Sequence, residues 1–573
     1  MIKDFSLLCL IVLGQLFSVA IYAEEIRDYY SEPGLNPFKG DAGNTANESI
    51  DPFSGALQIV HQDLKVPGNG GLDINVNRVY NHFSGGGTPA PNPMGMGWSM
   101  HFGRIVFPDV DKVCSQNLWG VSTIDNPSLE FSDGRRELLV LSSIGGYLVS
   151  KSSWRMDCVG GYPRVYSPEG TVYIMDELSG SANSYYVSSI TDVHGNYLSI
   201  SYYVGDSSNN FLVPSSVASN DGRLVSFSYT GGMLSSINSN GQIWTYSYAP
   251  VIGISGIQKL VSATRPDGLM WEYQYFPVTG GWLEPSASMS FIKYPRGATV
   301  TYNYQAVAFY PGDDPRWSIE SKVANDGINA YSWDYVFQPG SEIINTREFD
   351  LTIIQTPYGT EEYRHYGTQY AIGYIDALWR VGLLAEKKIS NGGVVKRKEI
   401  YNWGKREISD ENYWHGKDLG AIDEYVYAPI LLAKGVEVDG FGTATYFSGY
   451  DSFGNPAKID YKSNAGTIPD RVISYTYSNN TNDWILGKVL TEVTREGDGG
   501  AAIRSINNTY NANGDLTLSD TNGVVYEYSY TGEGDLNTVL DPNNKTITYG
   551  EYLRGLPQLE VYPEGVSLAR TVN

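Results

Sequence analysis

Histidine, methionine, cysteine and positive charge are all scarce in this chain of 573 residues. It contains six His, nine Met and three Cys, and its 40 Lys and Arg residues face 63 Asp and Glu residues, for a net charge of -23. Binding to nucleic acid depends on clustered Lys and Arg, so this balance argues against nucleic acid as a partner. With 18% charged and 42% apolar residues, the composition also argues against a disordered chain or a long coiled coil.

Long apolar runs are missing, with one exception at the N-terminus. There, Lys3 precedes an apolar stretch from Phe5 to Tyr22, and the small residue Ala23 comes just before two glutamates. This pattern is typical of a secretory signal peptide. We therefore predict that residues 1–23 are a cleaved signal peptide, that the mature protein is secreted or lies at the cell surface, and that only this peptide meets a membrane. An uncleaved N-terminal anchor is the alternative.

Two cysteines remain once the signal peptide is removed, because Cys9 lies inside it. An even pair in an oxidising compartment is readily joined. We predict a disulfide between Cys114 and Cys158, with two separate buried thiols as the alternative.

Tyrosine (45 residues) and glycine (63 residues) are abundant, and they recur in a fixed pattern. In each unit, a polar residue is followed by Gly. Two apolar or aromatic residues come five and seven positions after that Gly, and we call them the first and second aromatics of the unit. The turn glycines are Gly195, Gly222, Gly241, Gly268, Gly297, Gly454 and Gly523. The second aromatics are Tyr202, Tyr229, Tyr248, Tyr275, Tyr304, Tyr461 and Tyr530.

Each unit predicts a β-hairpin with one aromatic face. Gly tolerates the positive φ that hairpin turns require, and residues two apart on a strand point to the same face. A single hairpin cannot bury that face, so we predict an all-β array of stacked hairpins in one continuous sheet; a β-sandwich or a propeller is the alternative. Residues 305–350 and 400–440 carry no clear unit and are predicted to be insertions or long connections. Residues 376–387 are the best candidate for a short helix.

Two sets of motifs resemble the RHS or YD-repeat family, which includes bacterial polymorphic toxins and toxin-complex cocoon proteins. The first set resembles the repeats of the family: residues 190–196 (ITDVHGN), 450–455 (YDSFGN) and 536–549 (LNTVLDPNNKTITY). The second set resembles the opening of an RHS shell: residues 51–57 (DPFSGAL), 63–72 (DLKVPGNGGL), 78–81 (RVYN) and 95–99 (GMGWS).

The resemblance implies a sheet that spirals into a hollow shell, of which this chain would form a part. It divides the chain into the signal peptide (1–23), a shell-opening region (24–110), a β-rich segment (111–185) and a repeat array (186–573). The array stops in mid-repeat, so truncation, a continuation encoded downstream and a short family member all stay open. The implied function is a scaffold that encloses or displays a toxin or another partner polypeptide, with a role in interbacterial competition.

The aromatic residues also leave a second function open. Exposed Tyr and Trp side chains on a sheet can stack on sugar rings, so a protein that binds cell-surface carbohydrate is the alternative. The simpler interpretation is that most of these tyrosines pack against one another across neighbouring strands.

Motifs for catalysis and for cofactors are absent from the sequence. It has no HExxH, no GxSxG, no Walker loop and no dinucleotide fingerprint, and no CxxC spacing for a metal. Ser99 and His101 could share a strand face as nucleophile and base, but nothing places an Asp beside them. We predict no enzymatic activity and no cofactor, with a hydrolase as a distant alternative. Five histidines are predicted to lie on the surface or in turns: His61, His82, His194, His365 and His415.

Overall fold

The computed structural model describes residues 47–82, 92–107, 114, 127–179, 184–204, 212–277, 288–307, 316–338, 349–367, 379–380, 382–409, 426–465 and 469–571. The predicted signal peptide and His415 lie outside these residues. Within them the chain is almost entirely β-strand, with no α-helix and only short 3-10 turns at Asn69–Gly71 and at residues 379–380, which confirms the all-β prediction. None of the helical segments in this part of the chain has the length and hydropathy needed to span a membrane.

Two small sheets are formed by residues near the start of the described chain. The N-terminal sheet consists of β1 (Glu48–Ile50), β2 (Leu57–Val66), β3 (Ile74–Asn81) and β4 (Trp98–Ser99), paired in that order. The second sheet consists of β5 (Arg104–Val106), β6 (Ser128–Glu130), β7 (Arg136–Leu138), β13 (Glu177–Ser179) and β14 (Ser184–Tyr186), in the order β13-β14-β5-β6-β7.

All other strands belong to one antiparallel sheet of 33 strands, which we call the repeat sheet. Its strands are β8 (Val140–Leu141), β9 (Leu148–Val149), β10 (Arg155–Val159), β11 (Tyr162–Tyr166), β12 (Val172–Ile174), β15 (Ser189–Thr191), β16 (Tyr197–Val204), β17 (Leu212–Ser219), β18 (Leu224–Thr230), β19 (Met233–Ser239), β20 (Gln242–Pro250), β21 (Gln258–Thr264), β22 (Met270–Tyr275), β23 (Met289–Lys293), β24 (Thr299–Val307), β25 (Arg316–Asn325), β26 (Ala330–Gln338), β27 (Phe349–Thr356), β28 (Gly359–Tyr366), β29 (Leu384–Asn391), β30 (Val394–Ser409), β31 (Val426–Val438), β32 (Phe441–Ser448), β33 (Lys458–Ser463), β34 (Arg471–Asn480), β35 (Ile485–Glu496), β36 (Ala502–Tyr510), β37 (Leu516–Thr521), β38 (Val524–Tyr530), β39 (Leu536–Leu540), β40 (Thr546–Leu553), β41 (Leu556–Val561) and β42 (Ser567–Ala569).

The strands of the repeat sheet pair in chain order, apart from the step from β12 to β15. At the two ends of the series, β8 pairs with β9 and β42 pairs with β41. Since sequential neighbours pair throughout, the sheet grows hairpin by hairpin, as a ribbon.

The ribbon coils so that late units lie beside early ones. His194 Nε2 lies 2.9 Å from the Asp515 carboxylate, although 321 residues separate the two. The Asn196 amide donates a hydrogen bond to the Glu533 carbonyl at 2.7 Å, across 337 residues, and Trp484 Nε1 reaches the Ser153 carbonyl, 331 residues earlier, at 2.7 Å. These contacts join turns of successive coils, so the repeat sheet is a spiral.

The turn glycines lie where the hairpins reverse. All seven have φ between +78° and +94°, and each lies between two paired strands. In the turn before β40, Asn544 takes this place with φ +58°, because Asn tolerates the left-handed region better than other residues with side chains.

Three regions differ from the prediction. Residues 305–350 contain the regular strands β25 and β26, and residues 400–440 contain most of β30 and β31. The first of these was hidden because its aromatic pair, Trp333 and Tyr335, follows Gly327 by six and eight positions instead of five and seven. The predicted helix at 376–387 is wrong from Leu384 onward, where β29 begins; residues 368–378 and 381 lie outside the described part. A short apolar run does not distinguish a buried strand from a helix.

Candidate functional site: the aromatic face of the repeat sheet

Second aromatics follow directly on β-bulges. The register of strand pairing shifts immediately before six of the seven: Tyr202, Tyr229, Tyr248, Tyr275, Tyr304 and Tyr530. In the unit of Gly454, no such shift precedes Tyr461, and the bulge comes before Tyr477 on the next strand. A bulge interrupts the ladder of main-chain hydrogen bonds, and buried carbonyls there require another donor.

The side chain of the next unit supplies that donor. Tyr275 donates its hydroxyl to the carbonyl of Leu260 at 2.8 Å, and Leu260 is the cross-strand partner of Tyr248. Tyr304 donates in the same way to Met289, the partner of Tyr275, at 2.8 Å. Other links of this kind, which together we call the hydroxyl ladder, are Tyr229 to Pro214, Tyr450 to Leu431, Tyr510 to Val489, Tyr530 to Leu516 and Tyr552 to Leu536.

Tyr248 is a second aromatic that does not take part in the hydroxyl ladder. The Tyr248 hydroxyl is buried and has no hydrogen-bond partner among the described residues. Burial also raises the pKa of this hydroxyl. Tyr248 therefore provides a natural comparison with the tyrosines whose hydroxyls are bonded.

First aromatics have a different role, because three successive ones contact the N-terminal sheet. Tyr246 donates to Asp63 at 2.7 Å. Tyr273 is hydrogen-bonded to His61 Nδ1 at 2.9 Å, and Tyr302 donates to Glu48. These three tyrosines are 6%, 3% and 0% exposed.

Two buried ion pairs lie in the same interface. Arg78 is fully buried, pairs with Asp63 at 3.0 Å, and lies 5.2–5.7 Å from the ring centres of Trp98, Trp271, Tyr273 and Tyr246. Lys322 pairs with Glu48 at 2.6 Å, and both side chains are fully buried. Burial raises the pKa of Asp63 in spite of the guanidinium beside it. Removing one charge of such a pair leaves the other uncompensated. The pair of Lys322 and Glu48 joins the repeat sheet to the N-terminal sheet, whereas Arg78 and Asp63 both belong to the N-terminal sheet and contact the repeat sheet through its aromatic rings and Tyr246.

Several histidines were predicted wrongly. His61, His82 and His365 are buried, at 0%, 9% and 0% exposure. His82 Nε2 is hydrogen-bonded to the Trp317 carbonyl at 2.9 Å, and its ring stacks on Tyr304. His194 does lie in a turn, although its side chain is largely buried against Asp515. Tyr273, which is bonded to His61, and Trp317, which is bonded to His82, lie more than 200 residues away in sequence, and no local pattern reveals such partners.

Ser99 and His101 lie at the end of the N-terminal sheet. Ser99 is opposite Val79 on β3. His101 is buried, and its Nδ1 accepts a hydrogen bond from the Gly103 amide at 3.1 Å. Burial, followed by the nearby Arg104, lowers the pKa of His101 to about 3.

In the last units of the repeat sheet, from β34 to β40, the aromatic side chains on this face are more exposed than those that contact the N-terminal sheet. The first aromatic Tyr528, and Tyr475 and Tyr549 at the corresponding strand positions, are only partly buried, unlike Tyr246, Tyr273 and Tyr302. Glu492 lies directly across from Tyr475, and Glu560 from Tyr549. Arg504 pairs with the first of these acids and Arg570 with the second, at 2.9 and 2.8 Å. We define the open aromatic face by six tyrosines: Tyr475, Tyr477, Tyr510, Tyr528, Tyr530 and Tyr549.

Cys114 and Cys158 form a disulfide, as predicted, with their Cα atoms 5.4 Å apart. It ties Cys114 to β10, 44 residues later. Among the described residues, no three His, Cys, Asp or Glu side chains are arranged to hold a metal ion.

Comparison with known proteins gives matches among solved structures alone. No protein-family model and no curated protein sequence matches the chain. A crystal structure of TcdB2-TccC3-Cdc42 is 10% identical with a TM-score of 0.32, over 88% of this chain and 26% of that one. A crystal structure of TcdB2-TccC3 is 9% identical with a TM-score of 0.26, over 91% of this chain and 44% of that one.

A third structure, the N-terminal domain of the effector protein SpvB from Salmonella typhimurium strain LT2, is 12% identical with a TM-score of 0.19. That match covers 48% of this chain and 100% of that one. The chain thus spans less than half the length of the TcdB2-TccC3 chains that it matches. The architecture described above rests on the strand pairings of the chain itself.

Proposed function

We propose that this protein is an exported, non-catalytic β-shell scaffold that holds a partner polypeptide against the open aromatic face. One observation carries the proposal: the same face, in earlier units, already holds a polypeptide. That polypeptide is the N-terminal sheet, bound through hydroxyls of the first aromatics.

The contacts with the N-terminal sheet support an expectation of what the face binds. Tyr246 and Tyr302 donate to carboxylates, and Trp98 of the sheet donates its indole NH to the Tyr275 hydroxyl at 2.7 Å. Tyrosine suits such a surface because it offers a large apolar ring together with a polar tip. The open aromatic face repeats this chemistry through its tyrosines, while the nearby carboxylates of Glu492 and Glu560 are buried and paired with arginines. We therefore expect a partner segment that combines apolar side chains with hydrogen-bond donors.

The resemblance to RHS repeats supplies the class of partner. In that family the enclosed polypeptide is usually a toxin, so the proposed partner is a toxin and the proposed role is interbacterial competition. Export by the predicted signal peptide belongs to the same proposal.

Site-specific photo-crosslinking in the native host tests the proposal. A photoreactive phenylalanine replaces Tyr528 of the open aromatic face in one variant. In the control it replaces Tyr197, the first residue of β16, which is 45% exposed. The next residue, Leu198, is buried, so Tyr197 lies on the opposite face of the strand. We expect position 528, and not position 197, to crosslink to one polypeptide that resists protease until the scaffold is unfolded. Equal crosslinking at both positions, or a crosslinked polypeptide digested as fast as the free one, would contradict the proposal.

A further inference from the structure

A pocket of about 380 Å³ lies where strands β25 to β29 approach their hairpin turns. Its wall includes Tyr331 and Trp333 from β26, Tyr358 from the turn between β27 and β28, and Glu361 from β28. Its volume is within the range of small-molecule sites. Tyr358 is 73% exposed, so the pocket opens to solvent beside this side chain.

The aromatic residues of the pocket include one that the hairpin array does not explain. Tyr358 is in a turn and exposed, so it neither packs in the sheet nor belongs to the hydroxyl ladder. The large side chain of Trp333 is almost fully buried, at 6% exposure, and reaches the pocket from the sheet below. The exposed Tyr358, the partly buried Tyr331 and the buried Trp333 thus line one pocket, which we call the slot.

The charges around this slot are already balanced. The Glu361 carboxylate lies 3.1 Å from Lys387 Nζ and accepts a hydrogen bond from the Tyr363 hydroxyl at 2.7 Å. The ammonium of Lys322, 4.4 Å from the Trp333 ring centre, is paired with Glu48. A cationic ligand would have to compete with Lys387 and Lys322 for the carboxylates and the Trp333 ring. An anionic ligand would have no unpaired lysine to bind among the described residues of the slot, because both lysines already pair with glutamates.

A neutral ligand with flat apolar faces and an edge of hydroxyls fits these features. Its faces would contact the aromatic rings, and its hydroxyls would reach Glu361 and Thr356 at the wall of the pocket. We propose that this pocket binds a neutral pyranose sugar, with Tyr358 stacking on the ring. The site is separate from the open aromatic face, and its function does not depend on a partner polypeptide.

Titration of the full-length protein with defined disaccharides tests the proposal. The probes are cellobiose, maltose and N,N′-diacetylchitobiose, with choline as the cationic comparison, and binding is followed by calorimetry and by ligand-detected NMR. We expect saturable binding of at least one disaccharide in preference to choline. Binding of none of the three disaccharides, or preferential binding of choline, would overturn the assignment.

Variants then locate the binding. Replacing Tyr358 with Ala removes the stacking ring from an exposed position and should weaken disaccharide binding about tenfold or more, whereas Tyr358→Phe should retain it. The matched control is Phe441→Ala, because Phe441 is 70% exposed and follows the hairpin turn between β31 and β32. It should bind as the parent protein does. Unchanged affinity in Tyr358→Ala, or equal losses in Tyr358→Ala and Phe441→Ala, would place the sugar elsewhere and refute the proposal.

Discussion

Removing one hydroxyl from the hydroxyl ladder should destabilise the sheet locally, and the chain provides its own control. Tyr304 is 7% exposed and donates to the Met289 carbonyl. Tyr304→Phe keeps the ring but leaves this buried carbonyl without its donor, at a cost of about 1–3 kcal/mol. Tyr248→Phe removes a hydroxyl that has no partner in the described part of the chain. A buried hydroxyl without a hydrogen bond is itself unfavourable, so the second change should be neutral or stabilising.

Native-state hydrogen exchange, read by mass spectrometry, measures this difference where it arises. A long repeat array does not unfold as one two-state unit, so a local opening free energy is more informative than a single melting temperature. In Tyr304→Phe, amides of β23 and β24 should exchange about tenfold faster or more, since 1.4 kcal/mol corresponds to a factor of about ten. In Tyr248→Phe, amides of β20 and β21 should exchange at the parental rate or more slowly. Equal acceleration in the two variants would refute the hydroxyl ladder as a source of stability.

Three further predictions concern the interfaces. Arg78→Met should lower the local opening free energy of β2 and β3, read by native-state hydrogen exchange, by about 3–5 kcal/mol, because it leaves Asp63 buried without its ion-pair partner. Adding Asp63→Asn should restore part of the loss, and a double variant as unstable as the single one would contradict this. Cys158→Ala should cost about 4 kcal/mol for a closed loop of 44 residues, and a reductant should then have no further effect on the variant. Burial lowers the pKa of His82 to about 4. The contribution of the neutral His82 to stability is therefore complete above pH 6.5 and is lost as the pH falls towards 4, which at about 1.4 kcal/mol per pH unit amounts to about 3 kcal/mol. His82→Asn should show a shallower loss of melting temperature between pH 7 and pH 4.5 than the parent.

The hairpin array could be predicted because its signal is local. A glycine that accepts positive φ and two aromatics on one strand face lie within eight residues of each other, as in Gly268, Tyr273 and Tyr275. The β-bulge between these two aromatics has no such signal, since the acceptor of the Tyr275 hydroxyl lies 15 residues earlier. The spacing therefore predicted which residues share a face, but not that first and second aromatics have different roles.

The interface with the N-terminal sheet could not be predicted from periodicity. Asp63 and Tyr246 are 183 residues apart, and Glu48 and Lys322 are 274 apart. An acidic residue inside a β-strand, such as Asp63 in β2, was the available signal, because a buried charge needs a partner. The sequence does not say which of many tyrosines supplies that partner.

The central claim is that first aromatics of the repeat sheet bind the N-terminal sheet, and a double-mutant cycle on Tyr246 and Asp63 tests it most directly. Native-state hydrogen exchange measures the local opening free energy of β2 and β20 in Tyr246→Phe, Asp63→Asn and the double variant. If the two side chains are bonded as described, the effects should be non-additive, with a coupling energy of about 0.5–3 kcal/mol. Additivity within about 0.3 kcal/mol would mean that these residues, 183 positions apart in sequence, do not meet, and would contradict the account.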